Sequence, residues 1–267
     1  MEFLYHMFLS FAVLVGTVSF PTSTTYAFPT TQPTSSGTTS SYYVSDGNGS
    51  GIEDAPLITI DQNSLPKNSN PSKDNKVVAL TFDDGPRASS TQKVLAILRR
   101  EHVQATFFLV GSSVERYPDI AREIVADGHV VGLHTYDHPS NLPWMNAAHR
   151  DWELSANQAI IASTTGVHTS LFRPPYGIMT PKTKTILEAQ GYTVLMWNVD
   201  PRDWDYRRST SDKILKNIMT HLNARMIILF HDGRDSHGIH NNLEESLPTI
   251  INELRSRGYS FVTIDKI

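Results

Sequence analysis

KVVALTFDDGP, residues 76–86, is the segment from which the fold can be deduced. Its first part, Lys76 to Phe82, is a short apolar run rich in β-branched side chains, which is typical of a strand buried on both faces. Two acids, Asp83 and Asp84, follow without a break, and Gly-Pro then turns the chain. A solvated Asp-Gly-Pro turn would explain the second acid, but two acids directly after a buried run indicate chemistry at the strand end.

The pattern of a short apolar run followed by an amphipathic stretch continues to the C-terminus. Val94, Leu95, Ile97 and Leu98 have the spacing of one helix face. Strands are predicted at 76–82, 105–110, 129–133, 170–172, 192–199, 226–230 and 260–264. Helices are predicted at 89–101, 118–127, 146–165, 181–190, 211–223 and 243–257, several of them closed by a following glycine.

Strands that alternate with helices predict an α/β protein with a mainly parallel sheet. Seven strands between residues 76 and 267 are compatible with a closed or nearly closed barrel, but a doubly wound open sheet has the same pattern. The periodicity alone does not separate the two. Neither a GxGxxG dinucleotide-binding segment nor a P-loop occurs in the chain.

Ionisable residues follow five of the predicted strands. They are Asp83 and Asp84, His134 and His138, Arg173, Asp200 and Asp203, and His231 and Asp232. The carboxyl ends of parallel strands converge on one face of the fold, where α/β enzymes carry their active sites. One such ending would mean little, but five with complementary chemistry predict a catalytic site.

A metal site is predicted from His134 and His138, whose four-residue spacing lets both imidazoles face one ion. Alone, the pair would more simply be two unrelated loop histidines. One carboxylate beside two histidines leaves coordination positions open for water and substrate, which marks a catalytic metal. The chain has no cysteine, so zinc or a similar divalent ion bound by His and Asp is favoured. Of Asp83 and Asp84, one could bind the ion while the other serves as a base.

Arg173 and His231 complete the predicted site. Two prolines after Arg173 stiffen the backbone, which suits holding a guanidinium against a carboxylate, and they let the N–H of Tyr176 point into the site. His231 should emerge from the core at the rim, where Asp203 could orient it and raise its pKa, as a general acid near neutrality requires. The simpler alternatives are a stiff surface loop with a salt bridge and a buried structural histidine.

Three segments are predicted along the chain. Residues 1–27 are a signal peptide or an N-terminal anchor, since Met7 to Phe20 is an apolar run too short for a comfortable membrane span. Residues 28–75, rich in Ser, Thr and Pro, are a flexible linker, and residues 76–267 are the catalytic domain. The protein is therefore expected to be secreted or extracytoplasmic, with membrane contact only if the first segment is not cleaved. The net charge of −4 without a basic cluster argues against a nucleic-acid partner.

Five motifs in this order resemble those of the NodB-homology polysaccharide deacetylases, carbohydrate esterase family 4. They are TFDDGP (81–86), HTYDH (134–138), RPPYG (173–177), DPRDW (200–204) and LFHDG (229–233). The resemblance covers Lys76 to Ile267 and implies a distorted (β/α) barrel of seven strands with its active site at the C-terminal strand ends. Leu133 departs from the family pattern, in which Asn often precedes the first metal-binding histidine.

The resemblance also implies a ligand set and a base. By position, Asp84, His134 and His138 would bind a divalent metal, commonly zinc, with Co²⁺, Ni²⁺ or Mn²⁺ as alternatives. Asp83 would be the general base, held in place by Arg173.

The remaining implied roles concern the leaving group and the acetyl group. His231 would be the general acid, paired with Asp203, and the backbone N–H of Tyr176 would help to hold the oxyanion. Trp204 and Leu229 would line the groove for the acetyl methyl group.

The implied activity is removal of N-acetyl groups from an N-acetylglucosamine-containing polysaccharide, peptidoglycan or a chitin-like polymer, with release of acetate. The metal would polarise the amide carbonyl and the attacking water, Asp83 would accept the proton and His231 would protonate the leaving amine. An O-acetyl esterase acting on acetylated xylan is the alternative enzyme, because an ester needs less help from the acid. A non-catalytic wall-binding module would be expected to have lost site residues. Spacing also permits a metal at Asp235, His237 and His240, although a solvated loop is the simpler interpretation.

Overall fold

The structure, a computed structural model, describes residues 76–205, 207–233 and 241–267. The predicted signal peptide or anchor, the predicted linker and the histidine-rich loop at 234–240 lie outside these residues. Across the described ranges, no helix combines the length and the apolar character that a bilayer crossing requires.

Strands and helices alternate along the described chain. The strands are Lys76–Asp83 (β1), Thr106–Leu109 (β2), Val130–Leu133 (β3), Leu171–Phe172 (β4), Thr193–Val194 (β5), Arg225–His231 (β6) and Tyr259–Phe261 (β7). The α-helices are Thr91–Glu101 (α1), Gly111–Arg116 (α2), Pro118–Ala126 (α3), Ala147–Thr165 (α4), Pro181–Ala189 (α5), Ser211–Met219 (α6) and Asn241–Ser256 (α7). Short 3₁₀ helices lie at Leu142–Trp144, Pro175–Gly177 and Ile264–Lys266.

The strands form one parallel sheet in the order β5-β4-β3-β2-β1-β6, and β7 pairs with the beginning of β1. The sheet curls strongly, as contacts between residues of its distant strands show. Val199, beyond β5, forms a β-bridge with Ile228 of β6. Arg173, at the end of β4, donates a hydrogen bond to Thr81 of β1. The sheet is therefore an incomplete barrel, as the family resemblance implied, and the alternative of a doubly wound open sheet is wrong.

The outer face of β1 carries the main hydrophobic core. Val78, Leu80 and Phe82 alternate along the strand and are fully buried in a cluster that includes residues of α1 and α7. Phe82 stacks against Phe107 and Phe230, with ring centroids 5.0 and 5.4 Å away. Complete burial of such a side chain contributes about 2–3 kcal/mol to folding.

The inner face of β1 points into the barrel and changes character along its length. Ala79 packs in a small apolar cluster with Phe108, Ile227 and Ile264. Thr81 and Asp83 follow at the next inward positions. The barrel interior is therefore apolar near Ala79 and polar towards the C-terminal ends of the strands.

Capping residues explain why several helices begin and end close to the predicted positions. Asn146, Thr180 and Thr210 precede α4, α5 and α6, and each side chain accepts a hydrogen bond from a backbone N–H in the first turn. Gly166 ends α4 with a left-handed φ of 76°, which glycine adopts without steric cost.

Three predicted elements extend three or more residues beyond the C-terminal ends that the structure shows. The strand predicted at 192–199 is reduced to Thr193–Val194, because the carbonyls of Leu195 and Met196 accept hydrogen bonds from the Arg173 guanidinium instead of extending the ladder. The helix predicted to reach residue 223 ends at Met219. The last strand ends at Phe261, and a 3₁₀ helix follows it.

Candidate metal and catalytic site

The predicted site residues meet at the C-terminal end of the curled sheet. Asp83 is the last residue of β1, His134 follows β3, Arg173 follows β4 and His231 ends β6. Asp203 lies in the loop after β5. These residues are far apart in the chain, and the parallel arrangement of the strands brings them to one rim.

Asp84, His134 and His138 form a group that fits a divalent cation. Each offers one ligand atom, and these atoms all lie within 4.8 Å of one another. Asp84 Oδ1 is 3.3 Å from His134 Nε2 and 3.0 Å from His138 Nε2. Tetrahedral ligands about 2.0–2.2 Å from a zinc ion are separated by roughly 3.4 Å. The spacing and the donor types therefore suit such an ion.

The ring of His134 is oriented by the backbone of Arg173. His134 Nδ1 lies 2.8 Å from the Arg173 carbonyl oxygen. Because a carbonyl oxygen only accepts, Nδ1 must carry a hydrogen, which leaves Nε2, on the side of Asp84, as the nitrogen that can bind a cation once it has lost its hydrogen. Hydrogen bonding of the second ring nitrogen is the usual way in which proteins orient a metal-binding histidine.

Asp84 is held in its ionised form. Burial raises the pKa of this carboxyl group, but hydrogen bonds from His134 and His138 and the attraction of His138 and His231 outweigh burial and hold the pKa well below its usual range. A deprotonated carboxylate is the form that binds a cation.

Asp83 is paired with a buried guanidinium. Arg173 has no exposed surface, and its Nη1 donates to Asp83 Oδ1 and to Thr81 Oγ1, each at 2.8 Å. The guanidinium also lies over the Phe108 ring, 4.2 Å from its centroid. The other carboxylate oxygen, Oδ2, is 3.8 Å from His134 Nε2. One oxygen of Asp83 is thus fixed by Arg173, and the other faces the metal-ligand group.

His231 is held by both oxygens of one carboxylate. Asp203 Oδ2 accepts from the backbone N–H of His231 at 2.8 Å, and Oδ1 lies 2.9 Å from the ring Nδ1. Burial lowers the pKa of His231, but Asp203, Asp84 and Asp83 together raise this pKa to about 10. The ring is therefore protonated at neutral pH, as a proton donor must be.

Left-handed backbone conformations are concentrated in the loops of the site. Among the described non-glycine residues with positive φ, five lie in or beside the site: Asp84, Thr135, His138, Tyr176 and Arg202. Such conformations are unfavourable for residues with a Cβ, and they gather where function requires them. At Asp84, with φ of 76°, the turn brings two consecutive carboxylates towards His134.

The proposed groove residues differ in their exposure. The Tyr176 ring is 46% exposed and lies 4.7 Å from the His138 ring. Trp204 is 40% exposed, and its Nε1 donates to Asp200 Oδ2 at 3.4 Å. Leu229 is only 3% exposed and lies two residues before His231, so it is on the same face of β6.

Asp232 is a buried residue of the site that sequence reasoning left without a role. Its Oδ2 accepts from Thr91 Oγ1 at 2.6 Å, its carbonyl accepts from the Ser90 hydroxyl, and its N–H donates to the Asp83 carbonyl at 3.0 Å. Burial raises the pKa of Asp232 to about 7. Its place in the LFHDG motif was the signal that could have identified it.

Two motif glycines allow the loops after β1 and β6 to pack together. A Cβ at Gly233 would lie 1.8 Å from the carbonyl oxygen of Asp84, and a Cβ at Gly85 would lie 2.6 Å from Asp232 Oδ2. Neither position has room for a side chain. The glycines therefore set the approach of the segment after β6 to the metal-binding aspartate.

Several known proteins are similar to this chain in sequence and in fold. The family model for polysaccharide deacetylases matches residues 70–195. The chain is 37% identical over 195 residues to the peptidoglycan-N-acetylglucosamine deacetylase PgdA of Listeria monocytogenes, covering 73% of this chain but 39% of that relative. It is also 37% identical over 156 residues to the chitooligosaccharide deacetylase of a Bradyrhizobium species, covering 58% of this chain and 70% of that relative.

A solved structure agrees with these sequence relatives. The crystal structure of the Bc1960 peptidoglycan N-acetylglucosamine deacetylase, in complex with 4-naphthalen-1-yl-N-oxidanyl-benzamide, superposes with a TM-score of 0.68 at 33% identity. The match covers 73% of this chain and 89% of that one. The chain thus spans most of this solved relative, but only about two fifths of the length of the Listeria protein.

Proposed function

The chain belongs to the polysaccharide deacetylase family, and on that premise we propose that it hydrolyses the N-acetyl group of N-acetylglucosamine residues in peptidoglycan, releasing acetate and a free amine. One observation carries the proposal. The Asp84–His134–His138 group, the Asp83–Arg173 pair and the His231–Asp203 pair lie at one strand rim. The names of the Listeria relative and of the solved structure support peptidoglycan as the polymer.

Asp84, His134 and His138 would hold a divalent cation, which we propose to be zinc because two imidazoles and one carboxylate suit it. When bound, the ion would supply Lewis-acid polarisation of the amide carbonyl and of the attacking water.

Asp83 would act as the general base. Its Oδ2 faces the ligand group and would accept the proton of the attacking water, while Arg173 holds Oδ1 and fixes the orientation of the carboxylate. The next residue, Asp84, has a left-handed backbone conformation, which keeps its own metal-binding carboxylate close to the base.

His231 would act as the general acid. Cleavage of the C–N bond expels an amine, which must be protonated as it leaves, whereas an ester releases an alcohol with less help. The pKa of His231, raised by Asp203 to about 10 against the effect of burial, keeps the ring protonated at neutral pH. This property favours an N-deacetylase over the alternative O-acetyl esterase.

Three further residues would bind the acetyl group. The backbone N–H of Tyr176 would donate to the tetrahedral oxyanion, where one such donor contributes about 3 kcal/mol to transition-state stabilisation. Trp204 and Leu229 would contact the acetyl methyl group. The Tyr176 ring supports this assignment by its position next to His138.

Export is also part of the proposal. Residues 1–27 would direct the protein across the membrane, since peptidoglycan lies outside it and the segment contains the apolar run of Met7 to Phe20. N-terminal sequencing of protein recovered from the medium or wall fraction of an expressing bacterium would test it. A mature N-terminus near residue 28 is expected, and retention in the cytosol would contradict it.

The decisive experiment is acetate release from peptidoglycan, chitin oligomers and acetylated xylan, each measured with and without a chelator. We expect the highest rate with peptidoglycan, loss of activity with chelator and recovery on addition of Zn²⁺. His134→Ala should lose both bound metal and activity. Faster release from xylan would support the esterase alternative, and activity unaffected by complete metal removal would contradict the proposed mechanism.

A further inference from the structure

Helix α4 buries a polar face where a helix on a sheet would ordinarily bury an apolar one. Arg150, Glu153 and Asn157 have the spacing of one helix face, and all three are buried, Glu153 and Asn157 almost completely. Burial of a carboxylate and an amide is unfavourable unless each is hydrogen-bonded. The contacts of Glu153 and Asn157 therefore show what this face of the helix does.

Glu153 holds the segment between the two metal-ligand histidines. Its Oε2 accepts from the backbone N–H groups of Tyr136 at 2.9 Å and Asp137 at 3.0 Å. These are the residues that link His134 to His138. A buried carboxylate that accepts two N–H groups forms strong, charge-assisted hydrogen bonds.

Asn157 holds the beginning of the same loop. Its Oδ1 accepts from the backbone N–H of His134 at 3.1 Å, and its Nδ2 donates to the Leu109 carbonyl at 3.1 Å. The side chain thus links the ends of β2 and β3 at the first histidine. The side chain of Leu133, the residue before His134, is apolar and fully buried in the hydrophobic core, so the polar side-chain contact here comes from α4.

The loop needs such support because its backbone is strained. Thr135 and His138 have φ of 63° and 58°, both left-handed. Within the loop, Thr135 Oγ1 donates to the His134 carbonyl and accepts from the His138 N–H. Left-handed threonine and histidine persist only when the surroundings determine the conformation. From outside the loop, the N–H groups of Gly111 and Ser112 donate to the Thr135 and Tyr136 carbonyls, and Glu153 and Asn157 supply the side-chain part of that determination.

We infer, on the premise of the proposed function, that Glu153 and Asn157 are positioning residues that set the geometry of the His134–His138 pair and thereby the affinity for the divalent cation. Neither side chain needs to touch the ion. Outer contacts that orient metal ligands typically change metal affinity by about 10- to 100-fold when they are removed. A residue that only stabilises α4 would leave metal affinity unchanged in the folded protein.

The test compares Glu153→Gln and Asn157→Leu with a control on the same helix. Leu154→Ala removes a fully buried core side chain next to Glu153 and destabilises the fold without removing a hydrogen bond to the loop. For each protein, affinity for Zn²⁺ is measured by competition with a chromophoric chelator, and the visible spectrum is recorded with Co²⁺ bound. Amide hydrogen exchange of residues 134–138 is followed in the metal-free proteins.

We expect Glu153→Gln and Asn157→Leu to bind Zn²⁺ about 10- to 100-fold more weakly, to change the Co²⁺ spectrum and to exchange the loop amides faster. Leu154→Ala should keep the wild-type affinity and spectrum. Wild-type affinity in both loop-facing variants, or equal weakening in Leu154→Ala, would overturn the inference. If a variant does not fold, the exchange rates and affinity of the other decide. Failure of the wild-type protein to bind any divalent ion would instead overturn the proposed function and this inference together.

Discussion

Two histidines, His129 buried and His231 partly buried, lie at opposite ends of the sheet and have opposite protonation. His129 precedes β3 at the N-terminal end of the strands, and burial lowers its pKa to about 4, a change that the attraction of Asp127 does not offset. Its Nδ1 accepts from the Ala105 N–H at 3.1 Å, which requires a neutral ring. His231 ends β6 at the C-terminal rim, where burial also lowers the pKa but Asp203 raises it to about 10.

The two histidines differ chiefly in whether the chain holds a carboxylate against the ring. At the N-terminal end, the Ala105 N–H donates to Nδ1 of His129, Nε2 has no hydrogen-bond partner among the described residues, and the centroid of the Phe107 ring is 5.3 Å away. At the C-terminal rim, Asp203 bonds His231 twice, and Asp83 pairs with Arg173. Burial alone therefore produces an inert histidine, and burial with a fixed counter-charge produces a reactive one.

The largest expected effect at the rim is that of Asp83→Asn. This substitution removes the proposed base but leaves Asp84, His134 and His138, so deacetylation should fall by about 10²- to 10⁴-fold while zinc content is retained. Arg173 loses its buried counter-charge, and breaking such a pair costs about 3–5 kcal/mol of stability. Acetate release and metal content should therefore be measured well below the melting temperature.

Thr81→Val is the matched control for Asp83→Asn. It removes the hydrogen bond that Thr81 accepts from the same guanidinium and the one that it donates to the Ile228 carbonyl, but it keeps the carboxylate. Stability should therefore fall by about 1–3 kcal/mol, with most of the activity retained. Near wild-type turnover by Asp83→Asn would remove Asp83 from the role of base. Loss of metal from that variant would mean that the aspartate belongs to the ligand set.

Asp203→Asn should give His231 the character of His129. Without the carboxylate, burial is opposed only by the charges of Asp84 and Asp83 among the causes that raise the pKa of His231, so this pKa falls. Because the acid must be protonated, activity declines as pH rises through this pKa, and the decline should begin at lower pH in the variant. At neutral pH the loss should be about 100-fold, within the range that general acids contribute. The pH profile of kcat for acetate release checks both expectations.

Asp200→Asn provides the control for this shift. Asp200 lies in the same loop, but it bonds Trp204 and the Arg202 N–H and not His231. Its removal should move the alkaline limb of the profile much less. Equal shifts in both variants would show that the general negative potential of the loop, and not the Asp203 hydrogen bonds, determines the protonation of His231.

Sequence reasoning reached the elements and the ionisable residues of the rim because both are local signals. A buried run followed directly by Asp83 and Asp84 predicts a strand that ends in a site. In the structure, Asp83 ends β1 and Asp84 lies beside His134. The strand predicted at 192–199 was too long, because apolar composition does not show that the carbonyls of Leu195 and Met196 accept hydrogen bonds from Arg173. Such a contact depends on how the sheet curls.

Other features of the site lie beyond local patterns for the same reason. The left-handed turn at Asp84 has no sequence signature, since aspartate seldom adopts that conformation. Glu153 lies 17 residues after Tyr136 and 16 residues after Asp137, the two loop residues that it supports. The periodicity of its helix shows only a face with both polar and apolar residues. Asp232 was visible in a motif, but its contacts with Thr91 and with the Asp83 carbonyl come from tertiary packing.

The smallest expected effect on activity is that of His129→Gln, a substitution at the N-terminal end of the sheet. Glutamine keeps an acceptor for the Ala105 N–H but cannot titrate. The folded-state pKa of His129, about 4, lies below the ordinary value of 6.5, so the neutral ring's contribution to stability is complete above pH 6.5 and is lost as pH falls towards 4. Each pKa unit corresponds to about 1.4 kcal/mol, which gives a loss of roughly 3 kcal/mol across this range.

Denaturant unfolding at several pH values, for wild type and His129→Gln, isolates this contribution because the carboxylates of the rim titrate equally in both proteins. The wild-type free energy of unfolding should fall more steeply than that of the variant between pH 6.5 and 4, while acetate release at neutral pH should be the same. Parallel curves would mean that His129 is not held neutral. Burial alone would then not produce a neutral histidine, and the contrast with His231 would lose its physical basis.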